Sequence, residues 1–450
     1  MGIRDSVADF IVQTRWGTLP EVVQDQVRRC VVDNLAAALA GTMTRMSDIA
    51  SDYAAETWPG DEATILLRGQ RASAVGAAFA NAWAANGLDI DDGLRYAYGH
   101  GGAQIVPTAL ALAESQNLGG KRMMAAVVVG YEVAHRVGRC WHDSREVYQA
   151  CGSWGSVACA AVAANLLGLK AEQAWEALGI AEYHAPNAPM MRDVDHPAMV
   201  KHATGWGAMT GIVSAGLASQ GFTGIPSILA QERYGRWVRD IGDNYLMVGG
   251  VAWKQKGYAC CSWAHAAAKG ARSVVEGHHI STDDIEVIRV EGFHETVRLG
   301  SELPTTTEEA QFNVAWPVAA MLMDGEIGPA QTLEPRLSDP RLRAIAKKVE
   351  LVESEELNEL CRLYEQGDPR GRFASKVTVV LADGRTFDSG LVEEGSRFPN
   401  PAWDRERIDE KFRWLTRPVL DEERIDRLLD IAWHFEDVSN VRRLTDVLSG

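Results

Sequence analysis

The stretch "SKVTVVLADGRTFDSGLVEE", residues 375–394, decides the fold. Apolar and polar positions alternate on both sides of Asp383-Gly384, the dipeptide a tight hairpin turn favours, which predicts two antiparallel strands. Working outward, "DDIEVIRVEGF" (283–293) alternates in the same way and "KKVELVE" (347–353) does so more weakly, while "AQFNVAWPVAAMLMDG" (310–325) between them has helical spacing. From the start to about residue 270 the texture is helical throughout. "LPEVVQDQVRRCVVDNLAAALAG" repeats apolar residues every three or four positions and stops at a glycine, and several alanine- and glycine-rich helices follow it. Small residues on helix faces let axes approach closely, so this region predicts a compact bundle. After about Asp404 the chain is helical again and laced with charge. The expectation is a mainly α protein: a large all-helical domain (1–270), a smaller inserted α+β lid domain (271–400), and a C-terminal return to the helical domain (401–450).

Composition narrows the partners. Hydrophobic residues make up 46% of the 450 and charged residues 24%, as in an ordinary globular protein, and the formal charge is −16. An acidic surface argues against nucleic acid and against anionic lipid, whose phosphates need a basic footprint. It does not argue against a small anionic substrate, because a few cations in one cleft override the global sign. The seven cysteines are scattered without a CxxC pair, which excludes a zinc knuckle or disulfide framework and fits a reduced, cytoplasmic setting. The acid-bearing N-terminus is unlike a secretory signal, and no apolar run reaches the roughly 20 residues of a membrane span.

The chemistry concentrates in "NGLDIDDGLRYAYGHGGAQIVP", residues 86–107, where Asp89, Asp91 and Asp92 precede His100 in a glycine-rich turn. A magnesium-binding DDxxD site would need a second carboxylate where Arg95 stands, so no metal is expected. "GHGG" and "TGWGAMTG" follow no predicted strand and are not nucleotide loops; glycines there permit turns and close helix contact. Capping and solvation account for each aspartate taken singly. The polar residues elsewhere in this small-residue bundle tip the balance: His196, Lys201 and His202 in "HPAMVKHATGWG", and Lys256, Cys261 and His265 in "WKQKGYACCSWAH". A lysine among tryptophan, tyrosine and cysteine is expected to be partly buried. That would lower its pKa and suit it to carboxylate binding or proton transfer.

These blocks resemble the MmgE/PrpD family, which includes 2-methylcitrate dehydratases, cis-aconitate decarboxylases and iminodisuccinate epimerases. "VVDNLAAALAG", "ANGLDIDDGLRYAYGHGGAQIVPTALALAE", "WGSVACAAVAANLLGL", "GWGAMTGIVSAGLASQGFTGIPSIL", "KGYACCSWAH" and "AQFNVAWPVAAMLMDG" correspond to family blocks in the same order along nearly the whole chain. The resemblance implies a helical domain with an α+β lid, a homodimer and no cofactor. It matches Asp89 and His100 to active-site positions, Lys256 to the lysine of a K-x-Y-P-x-C block, Lys201 to within one position of a family lysine, and His265 to the histidine closing its block. The chain also departs from the family pattern. Gly93 stands where a threonine or serine follows the Asp-Asp pair, and one extra residue separates it from His100. The second family histidine falls on or beside Glu146, and the lid tyrosine is replaced by Trp316.

Family reactions move a proton at a carbon beside a carboxylate, which needs a positioned base and cations that absorb developing charge. The resemblance therefore gives His100 the acid/base role with Asp89 orienting it, and Glu146 or Tyr148 in place of the missing histidine, with Glu146 held by burial. Lys201 and Lys256 would bind a di- or tricarboxylate, and His202, His265 and Trp316 would line the site. Cys261 reads as a small buried hydrophobe. Asp91 and Asp92 read as caps that brace the turn. The expected activity is a cofactor-independent lyase, a dehydratase or decarboxylase. An epimerase of a dicarboxylate and a non-catalytic binding protein on the same scaffold stand as alternatives.

Overall fold

A computed structural model describes residues 2–248, 253–366, 368–394 and 403–449. Helix α1 (Glu21–Gly41) starts after Pro20, and from Val31 to Gly41 every residue is buried, so its second half lies inside the bundle rather than on it. Against it pack α2 (Ala74–Asn86), α3 (Gly102–Ser115) and α4 (Gly120–Asp143), and these in turn carry α5 (Cys151–Leu166) and α6 (Thr204–Ser219). Ser73 caps α2 by accepting from the Gly76 amide, 3.3 Å away. Every residue of α5 is buried, as an alanine-rich helix surrounded by others must be. It packs against α6 partly through glycines on both helices. A Cβ on Gly152 would stand 2.1 Å from the Ala203 carbonyl oxygen, so only glycine lets α5 touch the turn that launches α6.

The short strands β1 (Gly93–Leu94) and β2 (Trp253–Lys254) pair antiparallel and clasp the 86–100 stretch to a segment more than 150 residues away. Helix α7 (His265–Gly277) then backs a four-stranded sheet of β3 (Ile285–Gly292), β4 (Val349–Glu353), β5 (Ala374–Leu381) and β6 (Thr386–Glu393), in the order β4-β3-β5-β6. Only β3 and β4 run parallel. The hairpin turns at Asp383-Gly384, with Gly384 at φ +84°, the left-handed region glycine enters without strain. Ile288 and Val290 of β3 and Val377 and Val379 of β5 face the core, where α7 and a helix from Ala315 to Asp324 cover them. The architecture is mainly α with a small α+β part.

Two large apolar clusters divide the chain. One joins residues 3–259 to 408–448, and the other takes residues 260–381 with Ala150, Met190 and Val194. The switch falls between Ala259 and Cys260, so α7, helical in texture like the bundle before it, packs on the sheet instead. The chain comes back to the first cluster through α8 (Arg405–Thr416) and a helix over Glu422–Trp433. Lys411 of α8 donates to Asp33 of α1 at 2.7 Å and to the Ile90 carbonyl at 2.8 Å, bracing the aspartate-rich turn from behind. All seven cysteines are free. Among the described residues, no helix is long and apolar enough to cross a membrane.

Candidate active site

Asp89, Asp91 and Asp92 are all buried where α2 gives way to β1. Asp89 adopts a left-handed backbone at φ +53°, and so does Ala203 at φ +57° on the facing turn before α6. Such conformations are costly outside glycine and recur where a fold fixes functional groups. Asp92 turns away from the cavity. It accepts from Asn34 at 3.0 Å, from the Gly102 amide at 2.9 Å and from the Tyr131 hydroxyl, capping α3 and bracing the turn.

The other two aspartates hold His100 from either side. Nδ1 of His100 lies 2.8 Å from Asp91 Oδ2, and its Nε2 lies 3.3 Å from Asp89 Oδ1. The orienting partner is therefore Asp91, which the sequence reading treats as a brace. Asp89, assigned that role, instead pairs with Lys256, whose Nζ is 2.7 Å from Oδ2. Burial acts to raise the Asp89 pKa, but Lys256, the two histidines and Lys201 outweigh it and hold the carboxyl far below the usual range. Burial likewise acts to lower the Lys256 ammonium, and Asp89 reverses it, so Lys256 stands above its ordinary value rather than below as expected. The expected depression occurs at Lys201, where burial prevails.

His202 stacks beside His100 with ring centroids 4.4 Å apart, and its Nδ1 lies 2.9 Å from Asn86 Oδ1. Burial and the neighbouring imidazole push its pKa well down, so His202 is neutral. Asn86 is the hub of this cluster. Its amide donates to Asp91 at 2.9 Å, its Oδ1 meets His202, and its backbone carbonyl accepts from Lys201 at 2.8 Å. It is the first letter of the 86–107 stretch. As an uncharged amide at a helix end it offers no signal except its neighbours.

A cavity of about 740 Å³ opens over these groups, lined by Asp89, His100, His202 and Lys256 at its buried end. Tyr148 also lines it, with its hydroxyl donating to the Tyr98 carbonyl at 2.5 Å, and Trp263 and Cys261 contribute to the wall. Burial pushes the Cys261 thiol up to about 12, so it stays protonated.

Four expected positions turn out differently. Glu146 lines the cavity but is exposed, so the burial expected to make it an acid is missing. Lys201 is buried outside the cavity wall and ties Asn86 to Gln311. His265 lines a smaller, separate cavity, 3.4 Å from Glu394 and 3.1 Å from the Cys260 carbonyl, and burial holds it neutral with a pKa of about 4. Trp316 is wholly buried in the second apolar cluster with its indole N–H on the Gln331 carbonyl at 2.8 Å, because every residue from Ala315 to Met321 of that helix is apolar and buried. One imidazole was missed. His142, at the end of α4, lines the cavity between Tyr98 and Tyr148, each ring centroid 5.2 Å away. Its Nε2 meets the Ala97 carbonyl at 2.9 Å, and burial lowers its pKa to about 4.

Asp89, His100 and His202 each offer a ligand atom within 4.8 Å of the others, spacing that a metal ion could use. The Lys256 ammonium against Asp89 already supplies the positive charge there, and Nδ1 of His202 is engaged by Asn86. The donor set is thus built around an ammonium, which suits it to moving a proton beside a bound anion.

The MmgE/PrpD N-terminal domain model matches residues 5–240 and the MmgE/PrpD C-terminal domain model residues 258–437. Similar proteins include a human (Homo sapiens) cis-aconitate decarboxylase, 28% identical over 478 residues, covering 100% of this chain and 95% of the relative. A cis-aconitate decarboxylase of Aspergillus terreus is 22% identical over 100% of this chain and 96% of its own length. A cis-aconitate decarboxylase-like protein of Aspergillus oryzae is 23% identical over 99% and 96%. Both halves of the chain match in order, the first taking in the aspartate turn and His100: the chain belongs to the MmgE/PrpD family.

Proposed function

We propose that the protein is a cofactor-independent lyase that removes water or CO2 from a small di- or tricarboxylate. The observation that carries the reading is His100, with one ring nitrogen on Asp91 and the other beside the Asp89–Lys256 pair at the buried end of a cavity. A carboxylate of the substrate would compete with Asp89 for Lys256, bringing the adjacent carbon over the imidazole. In dehydration, neutral His100 takes the α-proton, the electron pair forms the double bond, and the hydroxyl leaves as water with a proton from an acid. In decarboxylation, the C–CO2 bond supplies the pair, and protonated His100 returns a proton to carbon. Lys256 stabilises the charge that develops on the carboxylate in both cases.

The relatives support decarboxylation by their names, at identities that leave the substrate of this chain open. Epimerisation uses the same proton transfer without a leaving group. We also propose a homodimer joined through α6, whose Trp206, Val213 and Leu217 are exposed along one side.

Proton NMR in deuterated water with citrate-, aconitate- and aspartate-like acids tests the reading. A new vinyl signal supports the lyase, and loss of an α-proton signal alone supports the epimerase. A folded protein that changes none of these acids sinks both.

A further inference from the structure

The catalytic groups use only part of the cavity. Its volume of about 740 Å³ lies in the range of roughly 300–1,000 Å³ that holds drug-sized ligands, more than a six-carbon acid needs. The remaining wall comes largely from the end of α4 and from the segment around residue 236. Arg139 and Arg236 both lay their guanidinium groups on Trp237, with Cζ 4.3 Å and 4.6 Å from a ring centroid, and Arg139 is also 5.3 Å from Tyr96. Arg145 rests on Trp141 at 3.6 Å. Among the described residues, none of these three arginines has a carboxylate within 4.0 Å, whereas Arg136, on the same helix as Arg139, meets both Glu132 and Asp240.

A guanidinium laid flat on an indole keeps its N–H fork free in the ring plane and loses little freedom when an anion arrives. The same cavity also holds acids that could neutralise the wall. Asp143 and Glu146 are exposed at the rim, and the lid contributes Glu295 and Glu365. Burial, with Glu295 nearby, raises Glu365 to about 7, so it is only partly charged at neutral pH.

We propose that Arg139 and Arg236, braced on Trp237, form an anion subsite beyond the catalytic end. The substrate then carries a further carboxylate or phosphate on a tail remote from the carbon that exchanges its proton. This rests on the reading of the buried end as a carboxylate-processing site, and it moves the substrate class from compact tricarboxylates to elongated ones. The two ligand chemistries share the recognition of a planar oxyanion face by a fork of N–H donors.

Calorimetric titration of the full chain tests it with 2-butylsuccinate, 2-(4-carboxybutyl)succinate and 2-(4-phosphonobutyl)succinate. At least one anionic tail should bind tenfold or more tighter than the butyl tail. In the Arg139→Gln/Arg236→Gln variant that advantage should shrink below twofold while butylsuccinate binds as before. A tighter phosphonate assigns a phosphate, a tighter carboxylate a carboxylate. Equal binding of all three to the unaltered protein, or an advantage that survives in the variant, overturns the subsite. If no succinate binds at all, the catalytic reading fails by itself, and pyrophosphate then decides the subsite: binding lost in the variant supports it and no binding overturns it. Arg236→Gln alone, at an exposed position, should cost at least threefold of the advantage and guards against a double variant that does not fold.

Discussion

His100 Nδ1 lies 2.8 Å from Asp91 Oδ2, inside a hydrogen-bonded chain that runs on through Asn86 to His202. The Asp91 carboxylate therefore fixes a proton on Nδ1 and leaves Nε2 as the basic nitrogen on the side of Asp89 and Lys256. Removing the imidazole with His100→Ala should lower turnover by about 10²–10⁴-fold, the usual contribution of a positioned acid/base group. Asp91→Asn keeps the shape but lets the ring take either tautomer. It should lower kcat by about 10–100-fold with little change in KM, by analogy with the partners that orient ligating histidines. Steady-state kinetics on whichever acid shows proton exchange separates the two. A KM effect alone for Asp91→Asn would place Asp91 in binding instead.

The Asp89–Lys256 pair predicts a different pattern. Both groups are buried, and removing one partner leaves an uncompensated charge that costs about 3–5 kcal/mol. Lys256→Met should therefore weaken substrate carboxylate binding and destabilise the fold. Asp89→Asn/Lys256→Met should recover most of the stability and none of the activity. The acid side has a fixed sign. The folded pKa of Asp89 is depressed, so its stabilisation is present above the ordinary aspartate value and is lost only as pH falls through the lower folded value. Urea titrations at neutral and acidic pH check both statements.

How much of this the sequence disclosed depends on what each residue contacts. Asp383-Gly384 and the alternation around it announced the hairpin, because turn chemistry and pleat period are local. Asp89, His100 and Lys256 were legible from their blocks and meet at one end of the cavity. Lys201 and Trp316 were not, because a spacing of three or four says which residues share a helix face, not what that face meets. Trp316 sits on the stretch Ala315–Met321, every residue of which is buried, and Lys201 reaches backbone and amide oxygens that carry no charge signal. Asn86 and His142 were missed for a related reason: each acquires its role from chain brought next to it by folding.

Asp193 should make stability fall between acid and neutral pH. Both its carboxyl oxygens are buried without a hydrogen-bond partner, and burial, opposed by Lys201, raises it from 3.8 to about 7. Because the folded value is the higher one, the stabilisation is fully present below about pH 3.8 and is lost as pH rises through about 7. Asp193→Asn should remove that slope and be the more stable protein at pH 8, by on the order of a few kcal/mol. Thermal midpoints of both proteins from pH 4 to pH 8 measure it, and parallel curves would contradict the assignment.

The proposed homodimer has a direct test. Trp206, Val213 and Leu217 are exposed on α6, and Trp206 meets Phe79 of α2 at 5.3 Å between ring centroids. The helix begins two residues after His202, so whatever covers this face also braces the turn that carries the second imidazole. Sedimentation should give twice the chain mass, and Val213→Asp/Leu217→Asp should give the single chain with weaker activity. A single-chain mass for the unaltered protein would remove the interface.

His142 bears on lyase against epimerase. Its Nε2–H is engaged by the Ala97 carbonyl, which leaves Nδ1 as an acceptor in a cavity wall that also holds Tyr148. Burial keeps the ring neutral at working pH, so it can take up a proton only when negative charge develops beside it. Loss of hydroxyl as water needs a proton delivered on the leaving-group side, which the neutral ring supplies only after taking one up from solvent as that charge develops, whereas exchange at carbon and loss of CO2 need no such donor. His142→Phe keeps the aromatic packing with Tyr98 and Tyr148 while removing the nitrogens. Exchange of the α-proton in deuterated water should then persist within a few-fold, and release of water should fall by at least tenfold. Equal loss of both rates would mean that His142 only packs the wall. An unchanged release rate would leave His100 to carry both proton transfers, taking the proton from one face of the substrate and returning it to the leaving group on that same face.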